Sequence, residues 1–200
     1  MLSEFKTALP FKTINDAEPE AKTLLEATQK KLGFVPNMYY AMANSPGLLK
    51  TYMQGYGAFR ENSGFSSIEQ EVIFLAISQV NGCEYCMAAH SFLAEAASGV
   101  PSDVTAAIRD GKQVPEMQLS ALSVFARLMV TKRGLPSQSD VEAFLSAGYK
   151  EKDILEIIHA IAVKTISNYT NHIFHTDIDN IFTPHAWTDK KSDIKLVAKT

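Results

Sequence analysis

Helix start and stop signals recur along this whole 200-residue sequence, whereas the two-residue alternation of a half-buried strand does not. Ser66 with Glu69 is typical of a helix-capping box, and so is Ser139 with Glu142. Gly33 follows an apolar stretch at the position where a helix end needs a left-handed residue. Taken together, these signals predict an all-α fold.

The helices predicted from these signals fill most of the chain between a polar N-terminal arm and a polar tail. They cover residues 18–32, 36–43, 46–60, 67–80, 83–98, 102–111, 115–133 and 139–148, and a last stretch from 151 to a stop at 182–184, kinked or broken near 167–168. The corresponding division is an arm with the first helix at 1–33, a single helical domain at 34–183, and a tail at 184–200.

Two segments are apolar on every helical face, namely residues 72–77 and 157–163. A helix of this kind is typically buried on all sides, so both are predicted to form the centre of the core. A third set is rich in Met and Tyr and is predicted to be core or interface, with part of it available to line an apolar pocket. Its members are residues 38–42, Tyr52, Met53, Tyr56 and Phe59.

The only two cysteines, Cys83 and Cys86, are separated by two residues and follow the helix-breaking pair Asn81-Gly82. Both thiols are therefore predicted in the first turn of the next helix, with His90 on the same face at about 100° per residue. The free N–H groups and partial positive charge of a helix N-terminus lower the pKa of a cysteine from about 8.5 toward roughly 3.5–7.5. This arrangement predicts redox chemistry.

Three residues near the thiols are candidates for supporting roles. A neutral His90 is able to take the proton of Cys86. Glu71 lies against the apolar run, where burial is predicted to raise its pKa and to make it a proton shuttle near pH 7. Tyr85 either donates a hydrogen bond to a substrate or packs against its neighbours.

A single offset of 85 residues relates this constellation to a later one, which suggests a duplicated helical unit in which only the first copy has thiols. In the second copy Asn168, Asn171, His172 and His175 are predicted to form a buried polar network that braces the helices. The sequence leaves open whether the second-copy residues have a role beyond structure. The offset pairs Glu71 with Glu156, Cys83 with Asn168, Cys86 with Asn171, and His90 with His175.

The amino-acid composition argues against two classes of binding partner, nucleic acids and membranes. The chain has 46% hydrophobic residues and a net charge of -3, with no basic patch and no apolar run of the roughly 18 to 20 residues that a membrane span needs. Neither nucleic acid nor membrane is an expected partner. No secretory signal is visible at the start, so the expected location is cytoplasmic, where a Cys-x2-Cys pair is typical of metal binding or cycling redox chemistry.

The residues leave two alternatives to a redox enzyme open. Cys83, Cys86 and His90 resemble part of a zinc site, although a closed site needs a fourth ligand, and a zinc-binding structural oligomer is one alternative. A protein disulfide oxidoreductase or redox sensor is the other.

The motif itself, Glu71 followed after eleven residues by Cys83-Glu84-Tyr85-Cys86 and then after three by His90, resembles the signature of one family. That family is the carboxymuconolactone decarboxylase family, in its alkylhydroperoxidase D-like, peroxidase-related branch. The wider similarity extends over residues 34–182 and includes the Pro36-Asn37 dipeptide.

The resemblance implies an all-helical fold with an internal repeat, homo-oligomers (trimers or hexamers), and a thiol peroxidase that uses no metal, haem or other cofactor. It also implies roles: Cys86 attacks the peroxide, Cys83 resolves the sulfenic acid, His90 acts as the base, and Glu71 relays protons through water and Cys83. The implied reductant is a dithiol, either a dihydrolipoyl protein or a thioredoxin-like protein. The residues alone do not decide which cysteine attacks.

Overall fold

The protein is described here by a computed structural model covering residues 2–189. This part of the chain is helical and contains no strand, which confirms the all-α prediction. The helices are α1 Pro19–Leu32, α2 Asn37–Met42, α3 Pro46–Asn62, α4 Ser67–Asn81, α5 Glu84–Ala96, α6 Ser102–Arg109, α7 Met117–Thr131, α8 Gln138–Ser146 and α9 Glu151–Phe174, followed by a 3-10 helix at Asn180–His185.

Helix α4 is the centre of the fold. The side chains from Val72 to Ile77 have no exposed surface, because α4 packs against α5, α6, α7 and α9. The predicted capping box of Ser66 and Glu69 begins the helix. The prediction for the apolar run at 72–77 is thereby confirmed.

The turn between α4 and α5 positions the cysteines. Gly82 has a φ of +68° and ends α4 in the left-handed conformation, which glycine adopts without steric cost. The N–H of Cys83 then donates to the carbonyl of Ser78 at 3.0 Å. Helix α5 begins at Glu84, so Cys83 is the residue that caps the helix, and not part of its first turn as predicted.

Helix α9 corrects two predictions. It runs without a break through residues 167 and 168 and ends at Phe174, where His175 adopts a φ of +51°. The segment 157–163 is also not buried on all sides, since Ile158 is 47% exposed while Ile157 and Ala160 are buried. This helix therefore has one face in the core and one face outside.

The capping box of α8 was predicted two residues too late. Ser137 and Asp140 form it, and the predicted cap, Ser139, lies inside the helix, where its Oγ is 3.0 Å from the Oγ of Ser137. Both serines are followed three residues later by an acid, so the pattern alone did not separate them.

The core has two parts. One surrounds α4, α7 and α8 and includes the stacked rings of Phe125, Phe144 and Tyr149. The other lies between α1, α2, α3 and α5 and contains both cysteines.

Among residues 2–189 no helix combines the length and apolar character needed to cross a membrane. The division of the chain into an arm at 1–33, a helical domain at 34–183 and a tail at 184–200 stays a prediction. Residues 190–200 of the predicted tail lie outside the described range.

Candidate active site

The two sulfurs lie together in the core. Cys83 is fully buried and Cys86 is 2% exposed, and both are free thiols. The side-chain amide of Asn171 donates toward both, at 3.4 Å from the sulfur of Cys86 and 3.9 Å from that of Cys83. Ser167 Oγ lies 3.8 Å from the sulfur of Cys86. Helix α9 thus supplies polar contacts to a thiol pair carried by α5.

The side chain of Glu71, on α4, links α3 and α5 next to the two thiols. Its carboxylate accepts from Arg60 of α3 and lies 2.8 Å from His90 Nδ1 of α5. Arg60 also donates to the hydroxyl of Tyr56 at 2.7 Å and to Gln70 at 3.1 Å. The structure therefore brings Glu71 against His90, and gives it no hydrogen bond to Cys83.

The predicted pKa of Glu71 was wrong in direction. Burial alone raises the pKa, but the hydrogen bonds from His90 and Arg60, together with the charge of Arg60, outweigh burial and hold it below its usual range. Glu71 is therefore a carboxylate at neutral pH, and a carboxylate only accepts hydrogen bonds. The proton between Glu71 and His90 must then lie on Nδ1 of the imidazole, which leaves Nε2 with a free lone pair.

His90 is held in its neutral form. Burial lowers its pKa, the charge of Lys164 lowers it further, and the carboxylate of Glu71 opposes both. His90 follows Cys86 by one helical turn, and the two side chains line the same cavity. A neutral imidazole beside a thiol fits the predicted role of base.

The two thiols differ in acidity. Burial raises the pKa of Cys83 well above its ordinary value, and its interaction with Cys86 raises it further. Burial acts on Cys86 too, but a hydrogen bond from Cys83 and the charge of Lys164 hold the pKa of Cys86 well below its ordinary value. Cys86 is therefore the thiolate of the pair, which the sequence alone did not decide.

Lys164 is a charged residue of the site that the sequence analysis missed. It is fully buried, and its ammonium group has no hydrogen-bond acceptor among residues 2–189. The Nζ atom lies 5.5 Å from the centre of the Phe74 ring, and the side chain lines the cavity that Cys86 and His90 also line. A buried ammonium without a hydrogen-bonded partner is costly unless a negative charge is near. The thiolate of Cys86 supplies that charge.

A signal for Lys164 does exist in the sequence. Lys164, Ser167, Asn168 and Asn171 follow the spacing of one helical face, and all four are at most 2% exposed. Asn168 accepts a hydrogen bond from Asn81 at 2.8 Å, which matches its predicted role of bracing the helices. Asn171 does more than brace the helices, because its side-chain amide contacts the sulfurs. Two other second-copy residues, His175 and Glu156, lie away from the thiol pair. His175 Nε2 lies 2.9 Å from the carbonyl oxygen of Ser3, and Glu156 lies 3.4 Å from His159.

Tyr85 makes a structural bond. Its hydroxyl donates to Asp179 at 2.5 Å, and the carboxylate of Asp179 also accepts from the N–H of Asn37 at 3.1 Å. The ring lines the cavity beside Cys86, but the hydroxyl proton is already used. Of the two predicted alternatives for Tyr85, the structure therefore favours packing.

A cavity of about 230 Å³ leads to Cys86, and we call it the aromatic cavity. Helix α5 supplies one side of its wall, and α2, α3 and the 3-10 helix supply much of the rest, as the Met and Tyr pattern predicted for part of that set. Its apolar lining includes Phe34, Met38, Tyr39, Tyr52, Tyr56 and Phe182. Such a lining fits an apolar small molecule. Within the described part of the chain, no three histidine, cysteine or carboxylate side chains cluster to hold a metal ion.

Comparison with protein families gives one match, over residues 46–113, to the model described as the carboxymuconolactone decarboxylase family. This segment contains Glu71, both cysteines and His90. The resemblance predicted from the motif is confirmed. No curated protein sequence matches the chain.

Solved structures share the fold. A peroxidase-related protein from Ralstonia eutropha JMP134, described as an alkylhydroperoxidase AhpD core, superposes with a TM-score of 0.76 at 24% identity, covering 87% of this chain and 93% of that one. A peroxidase-related protein from Silicibacter sp. TM1040 gives 0.73 at 22%, covering 90% and 95%. A cysteine-to-alanine variant of the debrominase Bmp8, in complex with 2,3,4-tribromopyrrole, gives 0.73 at 19%, covering 90% and 96%. The fold is thus that of the AhpD-like proteins.

Proposed function

We propose that the protein is a thiol-dependent hydroperoxidase that reduces organic peroxides or hydrogen peroxide through the Cys83/Cys86 pair. The observation that carries the proposal is the Cys86 sulfur, which has a lowered pKa and lines an apolar cavity together with His90 and Lys164. A thiolate in such a place is the species that attacks a peroxide bond.

The first step forms a sulfenic acid. The Cys86 thiolate attacks one oxygen of the O–O bond, whose electron pair leaves on the other oxygen. The departing oxygen takes a proton from solvent, relayed by the lone pair of His90 Nε2, and leaves as an alcohol or water. Glu71 acts by holding the imidazole in the tautomer that exposes Nε2.

The second step forms the disulfide. The Cys83 thiol attacks the sulfur of the Cys86 sulfenic acid, and the hydroxyl group leaves as water with the Cys83 proton. The side-chain amide of Asn171 contacts both sulfurs and supports their approach. A dithiol, from a dihydrolipoyl or a thioredoxin-like protein, then restores both thiols. This reductant suits the proposed cytoplasmic location.

Lys164 supports the first step as the counter-ion of the thiolate. Its charge lowers the pKa of Cys86, and no other acceptor in residues 2–189 competes for it. Burial of the pair makes the attraction stronger than it is in water.

The outward face of α9 supports the proposed homo-oligomer. Four large apolar side chains lie along it at helical spacing, and a surface of this kind is typical of a subunit contact. They are Leu155, Ile158, Tyr169 and Ile173, between 41% and 67% exposed.

A second candidate is reductive dehalogenation of an aromatic compound, in which the dithiol becomes a disulfide while the ring exchanges halogen for hydrogen. The aromatic cavity beside Cys86 favours it, together with the shared fold of the debrominase. A general disulfide exchanger is less favoured, because the cavity that Cys86 lines is apolar and fits a small molecule as the oxidant.

The test is turnover with dithiothreitol and a panel of cumene hydroperoxide, hydrogen peroxide and 2,3,4-tribromopyrrole. We expect peroxide consumption that Cys86→Ser abolishes, and a sulfenic acid trapped by dimedone in Cys83→Ser. Bromide release without peroxide turnover would favour the second candidate. Full peroxidase activity in Cys86→Ser would refute the assignment.

A further inference from the structure

A second cavity, of about 240 Å³, is lined by Cys83 and not by Cys86. We call it the polar cavity. Tyr85 is the residue that its lining shares with the aromatic cavity. Each cysteine of the pair therefore lines a different cavity.

The residues that line the polar cavity carry buried polar atoms without partners. Asn171 Oδ1, Thr176 Oγ1 and His172 Nε2 have no hydrogen-bond partner in the described part of the chain. Asn171 is 2% exposed and Thr176 is 7% exposed. A buried polar atom left without a partner is unfavourable, so such atoms indicate a place for a polar molecule.

The N-terminal arm forms one wall of this cavity. Leu2 is part of the lining, and the arm is tied to the end of α9 by a bond of 2.9 Å between His175 Nε2 and the carbonyl of Ser3. Further along, the N–H of Thr7 donates to the carbonyl of Ile173 at 2.9 Å. These few bonds hold the arm over a cavity that Cys83 lines.

A reductant can attack either sulfur of the Cys83–Cys86 disulfide, and the rules of thiol-disulfide exchange favour one of the two. Attack on one sulfur expels the other as a thiolate, and the sulfur with the lower pKa leaves faster. The pKa of Cys86 is held low by the hydrogen bond from Cys83 and the charge of Lys164, whereas burial raises that of Cys83. Attack on Cys83 with departure of Cys86 is therefore the faster route.

We propose that the polar cavity is the entry for the reductant, a small thiol or dithiol that attacks Cys83, and that the oxidant enters separately through the aromatic cavity to Cys86. The inference rests on the proposed function. The reductant thiolate bonds to Cys83, the Cys83–Cys86 bond breaks, and its electron pair leaves on Cys86. The second thiol of the reductant then attacks the mixed disulfide, expels Cys83, and gives it a proton, so that the reductant leaves as a disulfide.

The experiment measures the two half-reactions separately with matched cavity-filling variants. Oxidation is followed with cumene hydroperoxide and reduction with dithiothreitol, each quenched with N-ethylmaleimide and read by intact mass. We expect Thr176→Leu to slow reduction about tenfold more than oxidation, and Ala89→Leu, in the aromatic cavity, to do the reverse. Leu2→Trp, at a residue 48% exposed, tests the polar cavity without a change in the core.

Two results overturn the inference. One is reduction slowed by Ala89→Leu but not by Thr176→Leu or Leu2→Trp, and the other is equal slowing of both half-reactions by Thr176→Leu. The reduction arm starts from protein oxidised with diamide, so it gives an answer even when hydroperoxide does not react. Failure of the proposed function and failure of the polar cavity are thereby distinguished.

Discussion

At the scale of single residues, the site is a balance of buried charges. Glu71 faces Arg60, and the thiolate of Cys86 faces Lys164, with His90 neutral between the two pairs. Oxidation of Cys86 to a disulfide removes one negative charge and leaves Lys164 without a counter-ion. A buried charge without a partner is unfavourable, so Lys164 stabilises the reduced form over the oxidised one.

Replacing Lys164 tests this balance. Lys164→Met keeps the length and removes the charge, so the pKa of the reactive thiol rises and oxidation at pH 7 slows about tenfold. The disulfide also becomes harder to reduce. The pH profile of iodoacetamide alkylation and the equilibrium with dithiothreitol check the two effects, with Lys50→Met, whose ion pair with Glu20 is exposed, as the control. An unchanged alkylation profile contradicts the role given to Lys164.

Replacing Glu71 tests the other pair. Glu71→Gln leaves Arg60 without its buried counter-ion, so the free energy of unfolding in urea falls by about 3 kcal/mol. Because the pKa of Glu71 is lowered in the fold, its stabilisation is present above the ordinary value of 4.5 and is lost as pH falls through the folded pKa. The difference from wild type therefore shrinks in acid.

Glu69→Gln is the matched control for this measurement. It lies two residues away and is half-buried, and glutamine at this position of a capping box still accepts the bond from the Ser66 N–H, so its free energy of unfolding stays close to that of the wild type. A Glu71→Gln protein as stable as this control at every pH argues against the buried pair.

At the scale of elements, local signals predicted most helices but not the faces of the longest one. Capping residues and glycines are properties of a few neighbouring positions, so Ser66 and Gly33 marked helix ends correctly. Helix α9 ends at His175, in a left-handed conformation that histidine rarely adopts, and no local rule indicates it. Its buried Lys164 is stable only beside groups from α4 and α5, and those contacts are tertiary.

The turn that holds Cys83 depends on Gly82. A side chain at its φ of +68° costs about 1–2 kcal/mol, so Gly82→Ala lowers stability by that amount and slows disulfide formation by moving Cys83. Gly57→Ala is the control, because Gly57 lies inside α3 with open space around a new Cβ, and alanine there stabilises the helix by about 0.5–1 kcal/mol. Urea denaturation of the two variants gives opposite signs; a stabilised Gly82→Ala contradicts the account.

At the scale of the whole molecule, the sequence predicted four neighbouring side chains but not the groups that surround them. The motif identified Glu71, the two cysteines and His90, which the fold brings to one place. Lys164 and Asn171 reach them from α9, which is distant in sequence, and Arg60 reaches Glu71 from the preceding helix α3. The sign of the Glu71 pKa depended on those neighbours, which explains why burial alone predicted it wrongly.

The outward face of α9 predicts self-association. The double variant Ile158→Glu, Tyr169→Glu places two charges in this exposed apolar stripe, so it shifts the protein from an oligomer to a monomer. Sedimentation velocity at one protein concentration measures the change. Lys112→Glu, on an exposed residue of a different surface, is the control and stays with the wild type. A monomeric wild type contradicts the proposed oligomer.

The most direct measurement of the central claim is the intact mass of the reduced protein after one equivalent of cumene hydroperoxide, without added reductant. The account predicts that the hydroperoxide is converted to its alcohol and that the protein loses two hydrogens, with a peptide linked through Cys83 and Cys86 on digestion. Both thiols still free after the peroxide has been offered, or a disulfide-free protein that consumes it, would contradict the account.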